Sequence, residues 1–380
     1  MVVYLLSSTG TTPFDYFTRL ADSFRHGILW IENPPPWLTE LIPIDKTRFF
    51  VVYPPMPAIL LVPIQIIWKS FEQQYLAHIL GALIAVITAK NAYILTNKKS
   101  VVIWTFLLVG LGNIIWFMSA TGSVWYLGQI TAAFFMTCAI HESLSKKRPF
   151  QIGILLGAMY LSRINTIIAI PFFLYILFDK DWFTTKWQAL LIKFFQLGLG
   201  LSPFILFNFF YNYYRFGTIF DTAYFLLPKI LNEETMPWFV NGVANISYIP
   251  NNIKAMFWSF PKILTNVPYI QPSWAGLAIW ITTPAFIYAL LAPIKNNLNK
   301  FAWLSISLVF LIVASHGGTG WSQFGYRFAL DFYPLLFLLT INGVARHNGP
   351  KWHHWLLLVI SIIVNLWGVV WINHFGWVSF

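Results

Sequence analysis

Long apolar segments alternate with short, mostly basic linkers along most of this chain. The apolar segments lie near 75–96, 101–118, 123–140, 188–210, 276–294, 301–315, 328–343 and 355–372. At about 1.5 Å of rise per residue, each is long enough to cross most or all of the ~30 Å hydrocarbon core of a bilayer. The pattern predicts an all-α integral membrane protein, because helices satisfy their own backbone hydrogen bonds in lipid.

Two further apolar segments depart from this pattern. Residues 53–68 begin with YPP and would cover about 24 Å as a helix, short of the ~30 Å core. We expect this helix not to cross fully, with residues 1–52 external. The alternative, in which 53–68 spans the membrane and 1–52 is cytosolic, stays open, because charge counting alone does not exclude it. Residues 151–178 are interrupted by Arg163 and Asn165, which predicts two short helices that meet at a polar break. With these, we expect about ten transmembrane or half-membrane helices.

The longest polar stretch near the start of the chain covers residues 11–57. Pro13 suits the first turn of a helix, Thr11 or Thr12 is placed to cap it, and Gly27 is placed to end it. The predicted helix is amphipathic. One stripe is apolar and the other is charged, and their members are Phe17, Leu20, Ala21 and Phe24, and Asp15, Arg19 and Asp22.

The charged stripe has two interpretations. Asp15, Arg19 and Asp22 form the solvated face of a helix lying on the bilayer, or one of the two carboxylates is a catalytic group held at the membrane surface. The pattern alone leaves both open.

The composition supports the membrane assignment, and the distribution of charge argues against a nucleic-acid partner. Hydrophobic residues make up 58% of the 380 and charged residues only 10%, with a mean hydropathy of +0.65. The net charge of +11 could suggest nucleic acid. However, thirteen of the 24 basic residues, against three of the 13 acidic ones, fall in the linkers near 90–100, 141–150, 179–193, 295–300 and 346–351. This is the bias of cytoplasmic loops, so we expect no nucleic-acid partner.

We expect a single polytopic membrane domain, residues 1–380. The excess of basic residues in the linkers predicts which of its segments are external loops and which are membrane helices. We interpret residues 1–6 as the remnant of a first transmembrane helix. The remaining divisions are an external loop at 7–52, core helices at 53–208, a second external loop at 209–275 and C-terminal helices at 276–380. This places both long loops on the outside of the membrane.

Ionisable residues near the bilayer are candidates for function because burying them in lipid is costly. Arg163 interrupts an apolar pair of helices, and no acidic residue lies near it in sequence. Arg327 and Asp331 stand at i, i+4, so a structural ion pair between them is as good an interpretation as a role in binding. For Arg215 we favour snorkelling of the side chain to the interface. His316 opens a Gly-rich sequence, HGGTG, that we interpret as a flexible external turn.

Several sequence features together resemble the polytopic GT-C glycosyltransferases, in particular bacterial relatives of the protein O-mannosyltransferase and aminoarabinose transferase group. They are an acidic helix in the first loop followed by YPPMPAIL, VWYLGQI after an aromatic span, and an arginine in GAMYLSRINTIIAIPFF. RFGTIFDTAY and QFGYRFALDFYPLLFLL are similar to recurrent features of bacterial members. Two details differ: Tyr16 replaces the glutamate of the group's usual Asp-Glu pair, and PPM replaces its PPL.

The resemblance implies a GT-C-like helical bundle and a glycosyltransferase. It implies an inverting transfer of a sugar from a polyprenyl-phosphate donor to a lipid, glycan or protein acceptor on the external face of the bacterial cytoplasmic membrane. An acidic residue of the first loop would be catalytic. Asp22, five residues before Gly27, matches better than Asp15, and both stay open.

The remaining predictions concern binding. Arg163 and Arg327 are expected to stabilise the leaving lipid phosphate, and Arg19, Glu40, Tyr53 and Gln323 are further candidates for substrate binding. We expect no cofactor and no metal-ligand cluster, while a need for a free divalent metal stays open. Two other functions remain: a flippase or transporter for lipid-linked sugars, and a non-catalytic, degenerate relative of the glycosyltransferases.

Overall fold

The computed structural model describes residues 1–178, 187–346 and 349–378, so parts of two basic linkers lie outside it. In those ranges the chain is mostly helical. The helices are α1 (Val2–Leu6), α2 (Tyr16–Arg25), α3 (Met56–Ile67), α4 (Gln73–Thr96), α5 (Lys99–Leu111), α6 (Ile115–Thr121), α7 (Val124–Leu144), α8 (Pro149–Ser162), α9 (Ile170–Phe178), α10 (Trp187–Phe216), α11 (Leu227–Ile230), α12 (Ile249–Trp258), α13 (Ile279–Thr282), α14 (Asn297–Ala314), α15 (Tyr333–Ala345) and α16 (Trp352–Val369). The strands are β1 (Ile31–Glu32), β2 (Leu41–Pro43), β3 (Arg48–Val51), β4 (Lys262–Ile263) and β5 (Ile270–Gln271).

Ten apolar helical units in the described ranges correspond to the predicted membrane helices other than the one expected at 276–294. Five are long and apolar enough to cross a bilayer: α4, α7, α10, α14 and α16 with the turn that extends it to His374. A sixth unit is the pair α5 and α6, bent by 47°. Four shorter units are α3, α8, α15 and the continuous stretch Ile164–Phe178. The prediction of an all-α integral membrane protein is therefore confirmed.

Helix α7 lies at the centre of the bundle and α10 at its edge. In the most apolar part of α7, 78% of the residues are buried inside the protein, against 17% for α10. Helix α10 therefore exposes most of its apolar surface, as expected for a helix that faces lipid. It packs along α8 on one side and continues to Phe216.

The polar break predicted in the apolar stretch 151–178 is present. Helix α8 ends at Ser162, and Arg163 has an extended backbone (φ −153°, ψ 108°). A 3-10 helix, Ile164–Ala169, then leads into α9. Because the backbone is extended at Arg163, the side chains of this residue and of Asn165 leave the helical stack and reach the same neighbour, Asp331.

The opening loop is a compact unit that rests on the membrane helices. Helix α2 buries Phe17, Leu20 and Ala21 and half-buries Phe24 against the core, which confirms the predicted apolar stripe. It begins later than the threonine caps predict, because Thr12 Oγ1 accepts the Phe14 amide in a turn and Asp15 becomes the residue before the first helical turn. Strands β1, β3 and β2 form a small antiparallel sheet that the sequence pattern did not predict.

A buried glutamine fixes this loop to the bundle. Gln73, at the start of α4, accepts the Phe17 amide at 3.0 Å through Oε1 and donates through Nε2 to the carbonyls of Phe14 and Gly122. One side chain therefore joins α2, α4 and the turn that leads into α7. Helix α3, with twelve residues, is about 18 Å long, which is shorter than the ~30 Å hydrocarbon core, as the length of its apolar segment predicted.

The expected span at 276–294 is not a single helix. Helix α13 has four residues, and a 3-10 helix, Pro284–Leu291, follows it. Thr283, before the proline, is extended (φ −141°, ψ 72°), as residues before proline prefer. Farther along, a 3-10 helix at Arg327–Asp331 precedes α15, whose residues are almost all buried.

Candidate functional site

A cavity of about 550 Å³ lies where the opening loop, the break after α8 and the loop after α10 meet. Its wall includes Tyr53 from the end of the β3 strand segment, Trp125 from the start of α7, Arg163 from the break, and Arg327 and Phe328 from the 3-10 helix before α15. The wall is mostly apolar and aromatic with a few charged groups. Three of the residues predicted from the sequence, Tyr53, Arg163 and Arg327, therefore come together here.

Arg163 is paired with Asp331, although 168 residues separate them in sequence. Its Nε donates to Oδ2 at 3.0 Å and lies 2.8 Å from Oδ1, and Asn165 donates to Oδ2 at 2.7 Å. The carboxylate is fully buried. Of the two interpretations of Arg327 and Asp331, the structural ion pair between them is therefore wrong. The i, i+4 argument requires an α-helix, whereas these residues lie on a 3-10 helix that turns Asp331 towards α8.

Arg327 is a buried cation without a carboxylate partner. Within the described ranges, no Asp or Glu oxygen lies within 4 Å of its guanidinium, and its Nε has no hydrogen-bond acceptor. Its Nη1 lies 3.5 Å from Gln129 Oε1, a long contact, and its Cζ lies 4.7 Å from the centroid of the Phe328 ring. A buried guanidinium in this state is well suited to bind an anion that enters the cavity.

His316 forms another part of the cavity wall. Its Nδ1 lies 2.9 Å from the Gly318 carbonyl, and its Nε2 is buried without a partner in the part of the chain that the structure describes. Burial lowers the pKa of His316 to about 4, and the charges of Arg163 and Arg327 act in the same direction. The imidazole is therefore neutral at physiological pH. Its Nδ1 also lies 3.2 Å from the Gly318 amide nitrogen, so the contacts with Gly318 are compatible with a proton on either ring nitrogen. The Gly-rich motif gave no sign of this role.

Glu40 lies just behind the cavity wall. Its Oε2 accepts the indole N–H of Trp125 at 3.0 Å, and its backbone amide donates to the hydroxyl of Tyr16 at 3.2 Å. Burial raises the pKa of Glu40, while the Trp125 bond and the Arg327 charge act in the opposite direction. The carboxylate is thus coupled to Arg327 without lining the cavity. Tyr53 does line it, and its buried hydroxyl has no described partner.

Gln323 and Arg19 have supporting positions. Gln323 is buried, donates to the carbonyls of Ala275 and Thr319, and accepts the Arg327 amide at 3.2 Å. It therefore fixes the backbone that carries Arg327. Arg19 forms a 2.8 Å ion pair with Asp15 on α2.

The two carboxylates predicted to be catalytic lie on α2, outside the cavity wall. Asp15 is bound to Arg19, and Asp22 pairs with Arg25 at 3.0 Å. The Asp22 side chain is 59% exposed. Their catalytic assignment stays a prediction, because neither carboxylate is among the groups that the cavity brings together.

Arg215 and Asp221, both in the motif RFGTIFDTAY, are placed differently from the expectation. Arg215 does not snorkel. It is buried, donates to the Val51 carbonyl at 2.9 Å and to Asn212 Oδ1 at 2.6 Å, and stacks 3.9 Å from the ring of Tyr211. Asp221 lines the cavity and had no assigned role. The available signal for Asp221 was the motif itself, because RFGTIFDTAY is similar to a recurrent feature of bacterial members of the GT-C group.

Metal binding has no candidate site in the described ranges. No group of three or more His, Cys, Asp or Glu side chains lies close enough together there to hold a metal ion. The carboxylates near the cavity are instead engaged by arginine, tryptophan or backbone groups.

Comparisons with known proteins give a structural match only. A scan of protein-family models and a search of curated protein sequences each give no match. The fold is similar to the crystal structure of ArnT from Cupriavidus metallidurans bound to undecaprenyl phosphate, with a TM-score of 0.55 and 13% identity over 96% of this chain. The apo state of ArnT aligns with a TM-score of 0.48 and 14% identity over 95% of this chain.

The likeness to ArnT confirms the predicted GT-C-like helical bundle as the fold of this chain. This chain covers 61% of the length of the ArnT chain in the undecaprenyl phosphate complex and 60% in the apo state. At 13% identity the match establishes the fold, while activity has to be argued from the residues of the cavity.

Proposed function

We propose that this protein is a membrane glycosyltransferase that moves a sugar from a polyprenyl-phosphate donor to a lipid, glycan or protein acceptor. The observation that carries the proposal is the buried guanidinium of Arg327, which has no described carboxylate partner and lines a 550 Å³ cavity beside Arg163. Such a site suits a lipid-linked phosphate, and the fold is similar to a protein crystallised with undecaprenyl phosphate.

The reaction would be an inverting displacement. A loop carboxylate takes the proton from the acceptor hydroxyl, the acceptor oxygen bonds to the anomeric carbon, and the polyprenyl phosphate leaves on the opposite face. Arg163 and Arg327 would stabilise the negative charge on the leaving phosphate. Aromatic groups such as Tyr53, Trp125 and Phe328 provide flat surfaces for the sugar. The candidate carboxylates are Asp22 and Asp15 from the opening loop and Asp221 from the cavity wall.

Binding of undecaprenyl phosphate to the purified protein in nanodiscs tests the arginine site. Arg327→Gln is the cleanest variant, since no described carboxylate loses its partner. Losing a charge-assisted hydrogen bond costs about 1.5 to 3 kcal/mol, so affinity should fall about 10- to 150-fold. Arg163→Lys keeps the charge but loses the planar fork, and it should bind more weakly than wild type and better than Arg163→Ala.

Arg346→Ala is the matched control, because Arg346 is an exposed arginine at the end of α15. It should bind undecaprenyl phosphate as wild type does. Unchanged affinity in both Arg327→Gln and Arg163→Ala would rule out the arginine site.

Release of undecaprenyl phosphate from undecaprenyl-phosphate-linked sugars in the presence of an acceptor would support an enzyme. Movement of such lipids across vesicles without release would support a flippase instead.

We also propose that the protein resides in a bacterial cytoplasmic membrane with the cavity facing outside. The basic linkers support this orientation. In a Cys138→Ala background, single cysteines at the exposed positions of Thr39 and Asn241 should react with a membrane-impermeant reagent in intact cells. A cysteine at Ser145, which is exposed at the end of α7, should react only after permeabilisation. The reverse pattern would invert the topology.

A further inference from the structure

The segment after α10 forms one wall of the cavity. Helix α10 ends at Phe216, and Gly217 turns the chain with a positive φ of 68°. Side chains from this segment then line the cavity, namely Ile219, Phe220, Asp221, Tyr224 and Phe225. Of the residues described as lining it, Asp221 is the only carboxylic acid, whereas Arg163, Arg327 and His316 are the basic ones.

The carboxylate of Asp221 is oriented but not neutralised. Oδ1 accepts the Ala223 amide at 3.1 Å, which fixes the direction of the side chain. Arg215 Nη2 is 4.0 Å from Oδ1, too far for a hydrogen bond, because its guanidinium is already held by Val51 and Asn212. Oδ2 has no hydrogen-bond donor in the described ranges. One carboxylate oxygen is therefore available to a molecule in the cavity.

The other carboxylates near the opening loop are less available. Asp331 is fully buried beneath Arg163 and Asn165. Glu40 is held behind Trp125. Asp15 and Asp22 are paired with arginines of α2 and lie outside the wall.

We infer that Asp221 is the general base of the transfer reaction, an assignment that rests on the proposed function. In this step the proton of the acceptor hydroxyl moves to Asp221 as the acceptor oxygen forms its bond to the anomeric carbon. The bond between that carbon and the phosphate oxygen breaks, and its electron pair leaves with polyprenyl phosphate. Asp221 then returns the proton to water. No oxidant, reductant or further reactant is needed.

The surroundings of Asp221 suit a base. Burial raises the pKa of Asp221, while the charge of Arg215 and the Ala223 amide lower it. The groups that face it are Arg215 and Tyr211 from α10 and Tyr160 from α8. A carboxylate with a pKa above its usual value takes up a proton more readily in the transition state, so the environment favours proton abstraction.

The test compares Asp221→Asn with wild type in nanodiscs, using a panel of undecaprenyl-phosphate-linked glucose, mannose and aminoarabinose with bacterial membrane extract as acceptor. Release of undecaprenyl phosphate should fall about 100- to 10,000-fold. Binding of undecaprenyl phosphate should stay within about twofold of wild type, which also reports that the variant is folded. Asp221→Glu should keep part of the activity. In wild type, kcat/KM should fall at low pH, where the base is protonated. In Asp221→Asn, the remaining kcat/KM should not show this fall.

Glu234→Gln is the matched control, since Glu234 is an exposed acid in the same long loop. It should transfer as wild type does. Transfer by Asp221→Asn within about threefold of wild type would overturn the assignment while leaving the proposed function standing. If Asp221→Asn does not fold, Asp221→Ser is the second variant, because its hydroxyl oxygen can still accept the Ala223 amide but cannot serve as a carboxylate base. Transfer by folded Asp221→Ser within about threefold of wild type would overturn the assignment equally. Wild type that neither binds undecaprenyl phosphate nor releases it would instead refute the proposed function.

Discussion

Helix α2 and the wall of the cavity both place arginines beside carboxylates, but they do so in different ways. On α2 the pairs are Asp15 with Arg19 and Asp22 with Arg25, four and three residues apart. The carboxylate side chains are 21% and 59% exposed. At the cavity, Arg163 reaches Asp331 across 168 residues, and that carboxylate is fully buried.

The two kinds of ion pair differ in how much they contribute to stability. Exposed pairs at helical spacing are solvated and worth about 1 kcal/mol or less. A buried pair costs much more to break, because the remaining charge has neither water nor partner. Among the described residues of the cavity wall, the pairing of Arg163 with Asp331 leaves Arg327 and Asp221 as the charged groups without a hydrogen-bonded counter-charge. The ion pairs on α2, whose spacing is visible in the sequence, are therefore the ones that contribute least to the free energy of unfolding.

The largest expected effect is that of Asp331→Asn. The substitution keeps the shape of the side chain but leaves Arg163 without its counter-charge. Breaking a buried pair in this way costs about 3 to 5 kcal/mol, so thermal unfolding in detergent should shift clearly downwards. Glu234→Gln serves as the control and should unfold as wild type does. An unchanged unfolding midpoint in Asp331→Asn would remove the contrast between buried and exposed pairs.

A smaller effect is expected for Arg215→Lys. Lysine keeps the charge but cannot reach the Val51 carbonyl and Asn212 together while stacking on Tyr211. The unfolding free energy should fall by about 1.5 to 3 kcal/mol, because a buried charge-assisted hydrogen bond is lost. The measurement is unfolding in detergent. Arg48→Lys, at an exposed arginine of the β3 strand, is the comparison. If both variants lose the same stability, burial does not decide the value of these arginines.

Sequence periodicity predicted the structural features that depend only on residues close together in the chain. The apolar runs gave the membrane helices, the length of 53–68 gave the short helix α3, and the polar residues at 163 and 165 gave the break before α9. The stripe of Phe17, Leu20 and Ala21 gave the buried face of α2. In each case the information is local, because helical rise and spacing are fixed by the backbone.

The contacts that build the cavity could not be predicted in the same way. Arg163 with Asp331, and Arg215 with Val51, join residues 168 and 164 positions apart. Such pairs are set by how α8, α10 and the opening loop pack, and spacing carries no information about packing. The sheet in the opening loop was missed for another reason. Its strands have two to four residues, too few for an alternating pattern.

The smallest expected effects are those of Asp22→Asn and Asp15→Asn, and they test the comparison most directly. Both changes remove one partner of a pair at helical spacing on α2, so each should cost about 1 kcal/mol or less. With Asp221 as the base, both variants should release undecaprenyl phosphate at rates close to wild type, since neither carboxylate lines the cavity. The measurement is the same transfer assay, with unfolding midpoints recorded alongside. A loss of more than about 100-fold in Asp22→Asn, with stability unchanged, would return the catalytic role to the first loop. Helix α2 would then have to move towards the cavity during the reaction. The Asp22 carboxylate, which is 59% exposed in this structure, would thereby reach the acceptor hydroxyl.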